Sequence, residues 1–160
     1  MAEPVTPDVI VNICQNCIPP GNHLPRQWRQ DGIHVVVREV PCSGKIDSQY
    51  LLHALEGVTY GLCVIACPKG KCHLVEGNYR AEIRIRTVRR LLAEIGIEPE
   101  RADLLHFSPD DPFSQVEQLI RGAVERLSSL GRSPLHMESR ESQIREESTI
   151  PSTGEGSGHR

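Results

Sequence analysis

Cysteines stand at positions 14, 17, 42, 63, 67 and 72 of this 160-residue chain, so all six thiols fall in its first half. Thiolates suit iron–sulfur clusters and tetrahedral zinc, and a C-x-x-C pair such as "CQNC" (Cys14 to Cys17) can also cycle between dithiol and disulfide. Burial as small apolar side chains explains one cysteine more readily than six, five of them in turn-like contexts. The N-terminus lacks a basic region followed by a long apolar stretch, and no window approaches the roughly 18 apolar residues of a membrane span. The chain is therefore expected to be soluble and cytoplasmic, where structural disulfides are scarce and clustered thiols point to metal or redox chemistry.

The elements that must position these sulfurs follow from hydrophobic pattern. Four short apolar or β-branched runs read as strands: Val9 to Ile13, Ile33 to Val40, Val58 to Ala66 and Ala102 to Ser108. Asp47 can cap a helix that Gly57 stops. Ala81, Ile85, Val88, Leu92 and Ile95 mark one face of a second helix ending at Gly96. Asp111 and Pro112 open a third, with Phe113, Val116, Ile120, Val124, Leu127 and Leu130 inward and Gly131 as its stop. The stretch "IPPGNHLPRQWRQDG" leaves room for only a short helix near Trp28.

At 38% hydrophobic and 24% charged residues, one domain is expected. The predicted class is α/β, a single open, mainly parallel four-stranded sheet with helices on both faces, flavodoxin-like. It occupies residues 8–131, and the polar composition of 132–160 predicts a disordered tail. Formal net charge is −3, which gives no footprint for nucleic acid or an anionic membrane.

On this layout Cys14, Cys42 and Cys67 each follow a parallel strand. The carboxyl ends of parallel strands share one edge, where open α/β sheets place their ligands. Cys17 and Cys72 lie a few residues further on, so five thiols converge. Cys63 sits inside its strand, roughly 13 Å back from Cys67, and reads as core.

Three chemistries stay open for the five. Thiol–disulfide exchange at Cys14 and Cys17 lacks a helix N-terminus, because the prolines after Cys17 hold Ile18 and Pro19 out of helical geometry, and it gives Cys42, Cys67 and Cys72 no role. Zinc usually organises folds too small to build a core, which this chain is not. An iron–sulfur cluster uses the set best. The turn "VPCSGKID" can aim backbone N–H groups at sulfur. His73 reads as a solvated loop residue. Arg80, Arg84, Arg86, Arg89 and Arg90 read as a solvated face partly offset by Glu82 and Glu94, or as a docking surface for an acidic partner. No acid/base pair or phosphate loop is evident.

"CQNC", "PCSGKID", "ACPKGKCH" and "EGNYR" together resemble the small iron–sulfur (delta) subunit of methyl-viologen-reducing hydrogenases, over about residues 8 to 130. The resemblance implies a [2Fe-2S] cluster held by four of Cys14, Cys17, Cys42, Cys67 and Cys72. It also implies partners: a hydrogenase or formate dehydrogenase module on one side, the flavin subunit of a heterodisulfide reductase on the other. On that basis the chain is expected to be a relay within a larger oxidoreductase and not a complete enzyme.

Overall fold

The computed structural model describes residues 6–136. Its sheet has strands β1 (Val9–Cys14), β2 (Gln27–Gln30), β3 (Ile33–Val40), β4 (Gly61–Ala66) and β5 (Ala102–His106) in the order β2-β3-β1-β4-β5. β1 runs parallel to β3 and to β4, and β4 runs parallel to β5. Cys14 pairs with Val40, and Ala66 with His106, so the carboxyl ends of all four strands stand level at one edge. β1 and β4 are buried along their whole length, as befits parallel strands covered on both faces.

The fifth strand, β2, departs from the expectation of a short helix near Trp28. Asp31 and Gly32 both have positive φ, the geometry of a two-residue hairpin turn, and β2 folds back antiparallel on β3 from Gln30 opposite Ile33. This edge strand takes the place of a crossover helix between β1 and β3.

Helices α1 (Ser48–Glu56) and α2 (Gly77–Glu94) cover one face through Leu51, Leu55, Ile85, Val88 and Leu92. Helix α3 (Ser114–Ser129) covers the other through Val116, Ile120, Val124 and Leu127, with Leu24 and Trp28 closing the gap beside it. Asp47 caps α1, its carboxylate accepting from the Tyr50 amide at 2.7 Å. At the end of α2, Ile97 N–H bonds Leu92 C=O and Gly96 N–H bonds Ala93 C=O, a Schellman ending. That turn carries Ile97 into the core and leaves Ile95, expected on the inward face, 64% exposed.

Arg101 is 1% exposed and holds the end of α3. Its guanidinium donates to the carbonyls of Gly131 at 2.8 Å and Leu130 at 3.2 Å, to Tyr60 C=O at 2.9 Å, and to the Glu98 carboxylate at 2.8 Å. The fork thus satisfies carbonyls that the helix leaves without partners. Just beyond, Ser133 N–H bonds Thr59 C=O at 2.7 Å and His136 is buried. The remainder of the predicted tail lies outside the described residues. Among those described, no helix is long and apolar enough to cross a membrane. Replacing Arg101 with Met should lower unfolding free energy by about 3 kcal/mol in urea denaturation, because several buried carbonyls lose their donor at once.

Candidate metal centre

The strand ends deliver the sulfurs. Cys14 is the last residue of β1, and the single 3-10 turn over Gln15–Cys17 brings Cys17 back beneath it. Cys67 is the first residue after β4. The three sulfurs lie within 4.8 Å of one another. Cys17 Sγ is 3.5 Å from Cys67 Sγ, and Cys67 Sγ is 4.0 Å from Cys14 Sγ. All three residues are buried.

Cys42 and Cys72 stand beside this trio. Cys42, two residues past β3, precedes a 3-10 turn over Ser43–Lys45. After Cys67 the chain doubles back through a turn closed by Lys71 N–H to Pro68 C=O, with Gly70 at φ +78°, and so returns Cys72 to the site. Cys72 packs against the cluster that holds Cys14, Cys17 and Cys67. Cys42 and Cys72 meet over Gly77, the first residue of α2, where a β-carbon would overlap the Cys42 sulfur and stand 3.2 Å from that of Cys72. A β-carbon on Gly44 would in turn lie 2.6 Å from Gly77 Cα. Two glycines are needed for these backbones to touch.

Three further residues hold the loops in place. The Asn78 side chain, 1% exposed, donates to Cys67 C=O at 3.2 Å and to Pro68 C=O at 2.8 Å. Arg84, about two turns along α2, donates to the carbonyls of Gly44 and Ile46, the latter at 2.9 Å, and so clamps the turn after Cys42. His106 Nδ1 lies 3.0 Å from Cys67 C=O. Only "GNY" and the arginine run hinted at these roles in the sequence. Spacing alone could not tell Arg84, folded inward, from Arg80, Arg86 and Arg90, which pair along the helix with Glu76, Glu82 and Glu94.

The electrostatics single out Cys14. Hydrogen bonds from the Cys17 thiol, then from that of Cys67, hold its sulfur as a thiolate and lower its pKa from the ordinary 9.0 to about 2, with the amides of Asn16 and Ser43 adding to the effect. The Ser43 contribution is the N–H donation expected of the C-S-G turn. Cys17 is pushed up because its proton bonds Cys14, and Cys67 rises to about 11 for the same principal reason. The N-terminal end of α2, beside Cys42 and Cys72, adds positive potential where negative sulfur collects.

Cys63 lies in β4, fully buried, outside the sulfur trio. Burial pushes its thiol up, away from ligand chemistry. His73 is exposed in the loop after Cys72.

A buried trio of sulfurs with a polarised thiolate and a glycine cradle, at the carboxyl edge of a parallel sheet, defines the molecule as an α/β domain built around a cysteine site. The family model described as "Methyl-viologen-reducing hydrogenase, delta subunit" matches residues 9–131, and the chain belongs to that family. It is 35% identical over 118 residues to the iron-sulfur subunit of an F420-non-reducing hydrogenase from Archaeoglobus profundus, covering 73% of this chain and 86% of that protein. Identity is 33% over 101 residues with the vhu iron-sulfur subunit of the F420-non-reducing hydrogenase of Methanocaldococcus jannaschii, 63% of this chain and 75% of the relative. A 90-residue match, 34% identical and 56% of this chain, lies within a ferredoxin:CoB-CoM heterodisulfide reductase polypeptide of Methanosarcina mazei, of which it forms 11%.

Gly77→Ala should weaken metal binding about tenfold or more, read by chelator competition, with far-UV circular dichroism unchanged, and Asn78→Ala should act in the same direction. In the metal-free chain, thiolate absorbance at about 240 nm should be present at neutral pH and fall in Cys14→Ala. The sign of the linkage differs among the three. Depressed Cys14 contributes stability that is complete above 9.0 and lost as pH falls towards 2, whereas raised Cys17 and Cys67 withdraw stability as pH climbs above 9.0.

Proposed function

We propose that the chain is the electron-transfer iron–sulfur subunit of a cytoplasmic oxidoreductase complex. It relays electrons between a hydrogenase or formate dehydrogenase module and the flavin subunit of a heterodisulfide reductase-type partner. What carries this reading is the convergence of Cys14, Cys17 and Cys67, with Cys42 and Cys72 alongside. The donor set is all sulfur, one member is already held as thiolate, and the cradle at Gly77 keeps side chains out of the space between Cys42 and Cys72. Those features suit a [2Fe-2S] cluster held by four of the five cysteines. Bound there, such a cluster supplies a one-electron redox site.

The protein's own part is to hold and tune. Burial of Cys14, Cys17, Cys42 and Cys67 keeps water from the sulfurs. The Asn16 and Ser43 amides and the positive end of α2 favour the more negative, reduced state of the site and so raise its potential. Asn78 and Arg84 fix two of the loops so that little rearranges when charge changes. The partner assignment is supported by the Methanosarcina mazei match, in which a segment similar to this chain is built into a heterodisulfide reductase polypeptide.

Cys42→Ser should reduce electron transfer to the flavin-bearing partner by about a hundredfold while the sheet stays folded, since this side chain lies in a turn beyond β3. The isolated wild-type chain should turn over neither hydrogen nor a disulfide substrate. Robust disulfide reduction by wild type and Cys42→Ser alike would instead assign thiol exchange to Cys14 and Cys17.

A further inference from the structure

Of the six cysteines only Cys72 is not buried. The chain that follows it carries an unusual share of the molecule's exposed apolar surface. Among the described residues six large hydrophobic side chains are exposed, and four of them fall between positions 74 and 83: Leu74 at 53%, Val75 at 76%, Tyr79 at 44% and Ile83 at 60%. Leu74 and Val75 sit in the loop that feeds the first turn of α2, and Tyr79 and Ile83, four apart, share one face of that helix. Scattered surface hydrophobics are ordinary, but a concentration beside the most accessible sulfur is not.

The backbone holds this surface outward at a cost. Val75 has φ +65°, a left-handed conformation that a β-branched residue avoids. Its N–H bonds Cys72 C=O at 3.0 Å, so a second tight turn, beginning at Cys72 itself, is what projects Val75. A cavity of about 340 Å³ lies between Leu74 and Val75 on one side and Cys42 and Lys45 on the other, which opens the patch directly onto the sulfur site.

Charge indicates what covers it. Residues 69–90 carry seven Lys and Arg against two Glu, in a chain of formal net charge −3. Arg80 lines the same cavity as Leu74 and Val75, and the side chains of Lys69, Lys71, Arg80 and Arg86 are all exposed, in ion pairs with Glu82, Asp110, Glu76 and Glu82. Exposed pairs of that kind hold so little energy that an incoming carboxylate can exchange with them. We propose that Leu74, Val75, Tyr79 and Ile83 form the docking face for the electron-exchange partner, the flavin subunit of a heterodisulfide reductase, which would present an apolar patch rimmed by carboxylates. This rests on the relay reading above and adds to it the surface through which the relay works. An apolar centre excludes water beside Cys72, and the basic rim steers the acidic partner into register.

The test measures binding between the anaerobically purified full chain and the heterodisulfide reductase flavin subunit of the same organism by isothermal titration calorimetry. Val75→Asp combined with Ile83→Asp should weaken association at least about tenfold, with iron content and circular dichroism as in wild type. Aspartate tolerates left-handed backbone better than valine, so the change adds no strain at position 75. Arg80→Glu with Arg86→Glu should weaken binding by a second route that leaves the loop untouched, and wild-type affinity should fall as salt is raised. Ile95→Asp, at the far end of α2, should change nothing. Unaltered affinity in both double variants overturns the proposal while leaving the relay reading intact. It is equally overturned if the chain proves dimeric and the Asp substitutions break only the dimer. Patch-dependent binding without electron transfer would keep the docking face and defeat the relay, and failure of wild type to bind the flavin-bearing partner would defeat both.

Discussion

The backbone at Gly44 and the backbone at Gly77 touch, and the sulfur site exists because they can. Strand order alone brings Cys14 and Cys67 to a common edge, but Cys42 and Cys72 arrive on separate loops that must be packed against each other and against the start of α2. Any side chain at Gly44 would collide with the Gly77 backbone, and any side chain at Gly77 would fill the place of the Cys42 sulfur. The contact sets where α2 begins. Arg84 and Asn78 then follow from the helix geometry, one reaching down to the turn after Cys42 and the other to the carbonyls after β4. Function here depends on a place where side chains are missing as much as on the sulfurs.

Grouping sulfurs in a dry interior is unfavourable unless their charge is compensated. The protein compensates with dipoles fixed by the fold: the amides of Asn16 and Ser43 on Cys14, and the end of α2 beside Cys42 and Cys72. The lysines of the same loops, Lys45, Lys69 and Lys71, are all exposed. Fixed dipoles move less than lysine or arginine side chains when the charge of the site changes, which suits a group that gains and loses electrons repeatedly. The mobile cations are instead kept at the surface, on α2 and the loops that approach it.

Much of this was legible in the sequence. The parallel runs ending near Cys14, Cys42 and Cys67 located the site, because the carboxyl ends of parallel strands have nowhere else to meet. Asp47 and Gly57 bounded α1 at the residues the structure shows. Other features were hidden for physical reasons. The Asp31-Gly32 hairpin signal was present, but the proline-rich stretch before it read as room for only a short helix near Trp28, and only pairing with β3 makes Gln27–Gln30 a strand. Ile95 fits the helical period and is nonetheless exposed, since the Schellman turn substitutes Ile97. Gly44 and Gly77 approach each other from distant parts of the chain, and no local pattern encodes that contact.

Every functional conclusion turns on what the sulfurs hold. Iron, zinc and acid-labile sulfide should be measured in the anaerobically purified chain, with electron paramagnetic resonance recorded after one-electron reduction. About two iron and two sulfide per chain, with a paramagnetic signal on reduction, is the predicted result for a [2Fe-2S] centre. A colourless protein with stoichiometric zinc and no labile sulfide would contradict it, and would make these cysteines a structural site.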